Sequence, residues 1–357
     1  MLAVDFAASL FKLTGGDVDV DAESAEVAYS FRVVDVEKFG RKLQAFERRA
    51  NEALPRMFNF LGGHFVAGNC GVDRVQDLAA KAAGDPEGVI RHLSAVREVV
   101  ERDGVVIEWG GAPLVKNPPP LLESVEFMEG VRSWPAVQLN VRGSGARAKV
   151  EAGFKRSVRP SCLVVGALAL GAAATYVAGS QRRGVLRFLI PLTPVEYYID
   201  MGDAVGGLIN KLGALETCDL PEPFMRLLVA SLAGRPAIFR LADVMYTGGK
   251  DVKRDSSREL IIDTRTFGGG RPFKFLRELR RRADVLHGLA RRWCSCERRG
   301  WPRECGDVAQ AGTAAVKVYL YADTGDLERA YEALSMLLRL SRDVADGVEG
   351  LISGLVW

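Results

Sequence analysis

Between Cys162 and Ala178 the chain runs 17 residues without a charge, with Arg156 and Arg159 before the run and Arg182 and Arg183 after it. Such a run has to leave water, so the fold is built around it or it enters a membrane. Seventeen residues reach only the lower limit of a bilayer span, and the Gly and Ala content makes the run mildly hydrophobic. An interior helix clasped by other elements is therefore expected, with no membrane partner. A helix buried at a subunit contact is the alternative, because Ala167-x3-Gly171 permits close approach of a neighbouring backbone.

An interior helix needs enough apolar chain to cover it. With 357 residues, 48% of them hydrophobic, the sequence supplies a substantial core, and its length favours two domains over one. Arginine greatly outnumbers lysine while Asn and Gln are scarce, a bias that fits a hot environment or a GC-rich genome. The start, Met1-Leu-Ala-Val-Asp5-Phe, has no positive stretch and carries an acid within its apolar residues. No secretory signal is expected, and with it a cytoplasmic setting.

Periodicity and punctuation predict an α/β chain of the mixed α+β kind, in two domains. Residues 1–156 form an N-terminal α/β domain, and residues 157–357 a helix-rich domain carrying a basic helix at 271–293, with helices packed on mixed sheets. In the first, Ala25–Val34 has strand character, Val36–Leu61 has helical spacing with Asp35 as its cap, and helices follow over Val72–Ala83 and from Asp85-Pro86 to Glu101. A strand follows at Gly104–Trp109. Gly110–Pro113 and Asn117–Pro120 read as a linker, and Val137–Ala152 as a hairpin. In the second, strands are expected at Val185–Ile190, Arg258–Phe267 and Ala314–Tyr321, and helices near Val195–Leu215, Pro221–Leu232 and Asp326–Leu340.

Function is written most densely between Arg271 and Arg303. Eleven basic residues stand there against Glu278, Asp284 and Glu297, a net +8 in a chain whose total is +3. Projected at helical spacing, Leu276, Leu279, Ala283, Leu286 and Ala290 fall on one side, with Lys274, Arg277, Arg280, Arg281, Arg291 and Arg292 roughly opposite. Together with Arg271, Arg298, Arg299 and a basic loop carrying Lys250, Lys253 and Arg254, these are the candidate nucleic-acid ligands. Arginine suits phosphate because its planar fork donates two hydrogen bonds at once. A solvated helix face, or a scaffold surface for an acidic protein partner, are the alternatives. Phe273, Phe275, Trp293 and Trp301 offer rings for stacking on bases, although such residues more often fill cores.

Catalytic signals are sparse. The cysteines Cys294, Cys296 and Cys305 are expected as free thiols, with lowered pKa values beside so many arginines. A zinc site completed by His287, or a disulfide, are the alternatives; Cys-x-Cys is tighter than the usual zinc knuckle, so no cofactor is expected beyond a possible structural zinc. Isolated Cys162 reads as a small core residue. Gly143-Ser-Gly-Ala-Arg-Ala148 matches a permissive dinucleotide loop in the wrong context. With three histidines in the chain, no triad or two-His metal motif is built. The one enzymatic alternative is a metal-dependent nuclease using Glu259 and Asp263.

The α/β N-terminal half, the Cys162–Ala178 helix followed by Arg187-Phe-Leu-Ile-Pro-Leu192, and the arginine-rich C-terminal third together resemble the large-subunit family of archaeal type I-A CRISPR surveillance complexes. The resemblance spans most of the chain without a diagnostic motif, so it carries over no individual contact residue. It implies a non-enzymatic subunit for antiviral defence that joins other subunits and guide RNA and contacts duplex DNA near the protospacer-adjacent motif. It also implies that the subunit helps recruit a separate helicase-nuclease. In such complexes guide pairing reads the target while protein side chains hold backbones.

Overall fold

The computed structural model describes residues 2–23, 26–57, 72–101, 104–109, 162–180, 184–192, 201–216, 218–247, 253–265, 267 and 272–337. The linker at 110–120, the hairpin with its Gly143–Ala148 motif and the boundary near Arg156 lie outside these residues. The chain forms two compact units. Unit 1 takes Met1–Ile190, Pro194–Asp203 and Val244–Ser257, and unit 2 takes Pro191–Thr193, Ala204–Asp243 and Arg258–Trp357.

Unit 1 is organised around α5, Cys162–Thr175, the first part of the uncharged run. It is preceded by α1 (Leu2–Thr14), α2 (Val36–Ala53), α3 (Val75–Gly84) and α4 (Pro86–Leu93), all four of which pack against it. Every residue from Val164 to Thr175 is buried, as the absence of charge requires. Small residues set the approach distance: a Cβ at Gly166 would run into the Leu78 carbonyl of α3, and one at Gly171 into the Phe6 carbonyl of α1. Of the Ala167-x3-Gly171 pair, Gly171 thus serves a contact inside the chain, and Gly166 adds a second. Among the described residues no helix is long and apolar enough to cross a membrane.

The helix stops at Thr175, three residues short of the expected Ala178. Thr175 Oγ1 donates back to the Gly171 carbonyl at 2.9 Å, and β5 (Tyr176–Ser180) begins at once. The carbonyls left over at this end are met from α2, where Arg49 Nε donates to Ala173 O at 3.0 Å and Arg49 Nη2 to Tyr176 O at 2.9 Å. A cation at a helix C-terminus also suits the helix dipole. Burial pulls the Arg49 pKa down from its ordinary value, against a smaller upward pull from Glu52.

The first sheet is antiparallel in the order β1-β2-β3-β4, with β1 Asp17–Glu23, β2 Glu26–Arg32, β3 Ala95–Glu101 and β4 Gly104–Trp109. Asp17 pairs with Arg32 and Glu23 with Glu26 in the first hairpin, and Val96 with Trp109 in the last. β3 corrects the helix expected to reach Glu101: α4 starts as foreseen, with Asp85 accepting from Gly88 N at 2.9 Å, but ends at Leu93. Beyond Ser94 the β-branched Val96, Val99 and Val100 join the ladder between β2 and β4. Likewise α2, capped by Asp35 through Lys38 N at 2.8 Å, gives way at Pro55 to a 3₁₀ turn over Leu54–Met57. A second sheet has the order β5-β6-β7-β8, with β6 Val185–Pro191, β7 Ile238–Thr247 and β8 Lys253–Asp263. The described pairings are antiparallel, including β5 with β6, where the register shifts between Tyr176 and Ala178.

Unit 2 is mostly helical: α6 (Met201–Gly213, from Ala204 onward), α7 (Glu222–Ala233), α8 (Pro272–Arg281), α9 (Ala283–Arg298), α10 (Gly306–Thr324) and α11 (Leu327–Leu337). α7 and α10 are its centre, with α8, α9 and α11 packed around them. The strand expected at Ala314–Tyr321 is part of α10. Alternating Val316, Val318 and Leu320 suggest period two, but the buried residues include Val308, Ala311, Ala315, Val318 and Ala322, spaced three and four apart, with Gly312, Ala314 and Tyr319 beside them. That helical stripe runs from Val308 to Ala322 in a helix of 19 residues and prevails over the short alternation.

Candidate nucleic-acid interface

The basic stretch folds as the projection requires on its apolar side. Leu276, Leu279, Leu286 and Ala290 are fully buried and Ala283 nearly so. Lys274, Arg277, Arg280, Arg281, Arg282, Arg291, Arg292, Arg298, Arg299 and Arg303 are exposed. One continuous helix over 271–293 is replaced by two. Arg282, at φ −107° and ψ 8°, separates α8 from α9, its N–H donating to Leu279 O at 3.0 Å while Leu286 N restarts the ladder on Arg282 O at 3.2 Å. α9 then runs past Trp293 to Arg298, because Cys294 and Cys296 continue its buried side.

Some of the charge is spent within the protein. Glu278 accepts from Arg281 at 2.8 Å and lies 3.6 Å from Arg277 Nε; Arg298 meets Glu216 at 3.2 Å, and Arg299 meets Glu304 at 2.6 Å. These exposed pairs contribute little and exchange readily with a competing anion. Lys274, Arg280, Arg282, Arg291, Arg292 and Arg303 take no ion pair among the described residues. On α9, Arg291 and Arg292 are exposed on either side of the half-buried Gly288 and Ser295, and Arg299 follows at the helix end. The other edge of α9 is occupied: Asp284 binds Lys211 Nζ at 2.8 Å, which holds its carboxyl below the usual range, and Glu297 accepts from Asp219 N at 3.0 Å.

The cysteines do not form a metal site. Cys294 is bonded to Cys218 and Cys296 to Cys305, so neither free thiols nor thiolate ligands remain. His287 is turned away, its Nε2 lying 2.8 Å from Lys211 O. The zinc set is corrected accordingly, and among the described residues no three His, Cys, Asp or Glu gather as metal ligands. Cys162 is disulfide-bonded as well, instead of a free core thiol. Sequence spacing could not reveal the Cys218 bond, since 76 residues separate its partners. Arg299 Nη2 lies 3.5 Å from Cys305 Sγ.

The remaining candidates are dispersed. Lys250 and Arg271 lie outside the described residues. Lys253 and Arg254 begin β8, in place of a loop, and belong to unit 1, whereas α8 and α9 belong to unit 2. Glu259 stands 3.8 Å from Arg240, and Asp263 takes a two-pronged contact from Arg265, with Nη2 at 2.7 Å. The hydrogen bonds from Arg265 depress the Asp263 pKa against partial burial. Each carboxylate proposed for a nuclease is thus matched by an arginine. Of the aromatic residues, Phe275 is buried edge-on to Phe267, Trp293 packs against Phe224 and Trp301, and Trp301 is 39% exposed. Phe273 lies in α8, and its side chain is outside the described residues.

No protein-family model matches this sequence, and neither a curated protein nor a solved structure matches it.

Proposed function

We propose that this protein is a non-enzymatic subunit of a ribonucleoprotein that grips nucleic-acid backbones through the exposed faces of α8 and α9. The observation that carries this reading is the set of six exposed basic residues, Lys274, Arg280, Arg282, Arg291, Arg292 and Arg303, without ion-pair partners among the described residues. A packed apolar side fixes the helices, so the guanidinium groups are presented from a rigid base. Contacts of this kind position a protein on phosphates without reading bases. The finer reading is the one implied by the resemblance: a large subunit of a CRISPR surveillance complex, holding guide RNA and target DNA while pairing supplies specificity. Disulfides in an arginine-rich chain fit the cytoplasm of a hot-growing cell, where intracellular disulfides persist.

Titrating labelled RNA and duplex DNA at several salt concentrations tests the coarser reading. Each neutralised phosphate of a duplex contributes a slope of about −0.9 in log affinity against log salt, so six contacts give roughly −5. An affinity independent of salt contradicts the proposal. For the finer reading, protein isolated with its natural partners is expected to carry RNA of defined length. Co-purification with an acidic protein, unchanged by nuclease treatment, supports a scaffold instead.

A further inference from the structure

We propose that the turn Arg299–Cys305 is a stacking site for an unpaired nucleobase, with Trp301 as the platform and Arg303 on the adjoining phosphate. This rests on the backbone-binding role of α8 and α9 and names the class of nucleic acid that this end of the surface receives: a single strand.

The first ground is conformation. α9 ends with Gly300 N donating to Glu297 O at 3.0 Å and Trp301 N donating to Cys296 O at 2.9 Å, the bond pair of a Schellman ending. Gly300, at φ +71°, occupies the left-handed position where such an ending wants glycine. Trp301 follows at φ +55°, a region that bulky residues rarely adopt. Glycine would satisfy the turn without strain. The chain instead keeps an indole there and holds it in place. The Cys296–Cys305 disulfide closes the turn from both ends, and Trp293 meets the Trp301 ring nearly edge-on at 4.6 Å. Backbone strain retained under such restraint is a mark of functional positions.

The second ground is access. Phe224, Phe267 and Phe275 in the same unit are buried, while Trp301 remains 39% exposed. A Cβ built at Gly300 or Gly306 meets nothing within 4 Å, so both ends of the turn are open. The third ground is charge. Arg298, Arg299 and Arg303 lie within three residues of Trp301 in the sequence and are exposed; Arg298 and Arg299 pair with Glu216 and Glu304, and Arg303 has no ion pair among the described residues. A part-exposed indole with exposed arginines adjacent in the sequence fits a base with its phosphates better than an apolar peptide. Bases inside a duplex are already stacked on their neighbours, so only an unpaired one presents its face to Trp301. Because every base has such a face, the site is tolerant of sequence.

The test compares a labelled single strand with a sugar-phosphate strand of equal length that lacks bases. Wild-type protein is expected to prefer the base-bearing strand roughly 5- to 150-fold, the range for one stacked base. Trp301→Ala should abolish that preference and leave the salt slope unchanged, and Trp301→Phe should restore most of it. Trp301→Gly, which removes the backbone strain, should melt as a folded protein and also lack the preference, so misfolding does not imitate the result. A preference that survives Trp301→Ala, or salt-dependent binding with no base preference in the wild type, overturns the stacking site alone. Failure of the wild type to bind either strand at low salt overturns the backbone-binding role as well.

Discussion

α5 and α9 are helices of 14 and 16 residues held in place by opposite means. α5 has no charged residue, is covered by α1, α2, α3 and α4, and lets two neighbours approach onto bare glycine. α9 buries one stripe, leaves an arginine face in water and is anchored at its C-terminal half by two disulfides. Packing occupies the whole surface of the first helix, so its side chains are committed to stability. The second is anchored along one side only, which leaves its opposite side available to a partner. Structure-making residues and the residues proposed to bind a partner are thereby separated between the two helices.

Covalent anchoring should give the largest effects on stability. Chain-entropy arguments give about 4–5 kcal/mol for the Cys218–Cys294 bond, whose partners are 76 residues apart, and about 2–3 kcal/mol for Cys296–Cys305, 9 apart. Denaturant unfolding of Cys218→Ser/Cys294→Ser and Cys296→Ser/Cys305→Ser should reproduce that order. The reverse order would mean that these bonds act chiefly through local geometry.

Glycine substitutions sharpen the contrast between the helices, because the same change should have opposite signs. Gly166→Ala and Gly171→Ala drive a methyl into the backbone of α3 or α1, with an expected cost of about 1–3 kcal/mol each. Gly288→Ala on α9 meets nothing within 4 Å. It should stabilise by about 0.5–1 kcal/mol, through helix propensity alone. Equal signs in thermal melts would show that α5 is less tightly clasped than its contacts imply.

The smallest expected effect is on acid stability. Asp263 has a folded pKa below its unfolded value because Arg265 donates to it. Its contribution is therefore complete above the unfolded value, near pH 4, and is lost as pH falls through the folded value. Asp263→Asn should lower stability slightly at neutral pH, where the contribution is complete, and flatten the curve below about pH 4, where the wild type loses it anyway. An unchanged acid limb would mean that the exposed pair is broken in solution.

Both central helices were legible in the sequence for definite reasons. An uncharged run bounded by arginines has few places to go, and the Leu276–Ala290 stripe repeats at 3.6 residues opposite its arginines. Asp85 and Asp35 announced their helices by capping chemistry. Other features depend on contacts that local pattern does not encode. Valines at 96, 99 and 100 suit a helix or a strand until β2 and β4 supply ladder partners. Val316, Val318 and Leu320 alternate by coincidence within a longer helical stripe. Arg282 carries no breaker signal, and the four cysteines of the two bonds are matched only by the fold. Trp301 is the subtler case: its composition suggested stacking, while its left-handed backbone and its restraint by the disulfide are visible only in three dimensions. The strand Asp17–Glu23, β1, was not among the expected elements, although acid and valine alternate in it.

The separation of roles is tested most directly by moving the same charge change between the two units. Arg291→Glu/Arg292→Glu on α9 and Arg41→Glu/Arg48→Glu on α2 alter net charge equally, and all four arginines are exposed. Affinity for RNA and duplex DNA would be measured across a salt series for both variants and the wild type. The α9 pair should weaken binding strongly and reduce the salt slope by about 2, while the α2 pair leaves the slope at the wild-type value. Equal losses from the two pairs would contradict a nucleic-acid surface on α8 and α9 and attribute binding to net charge alone.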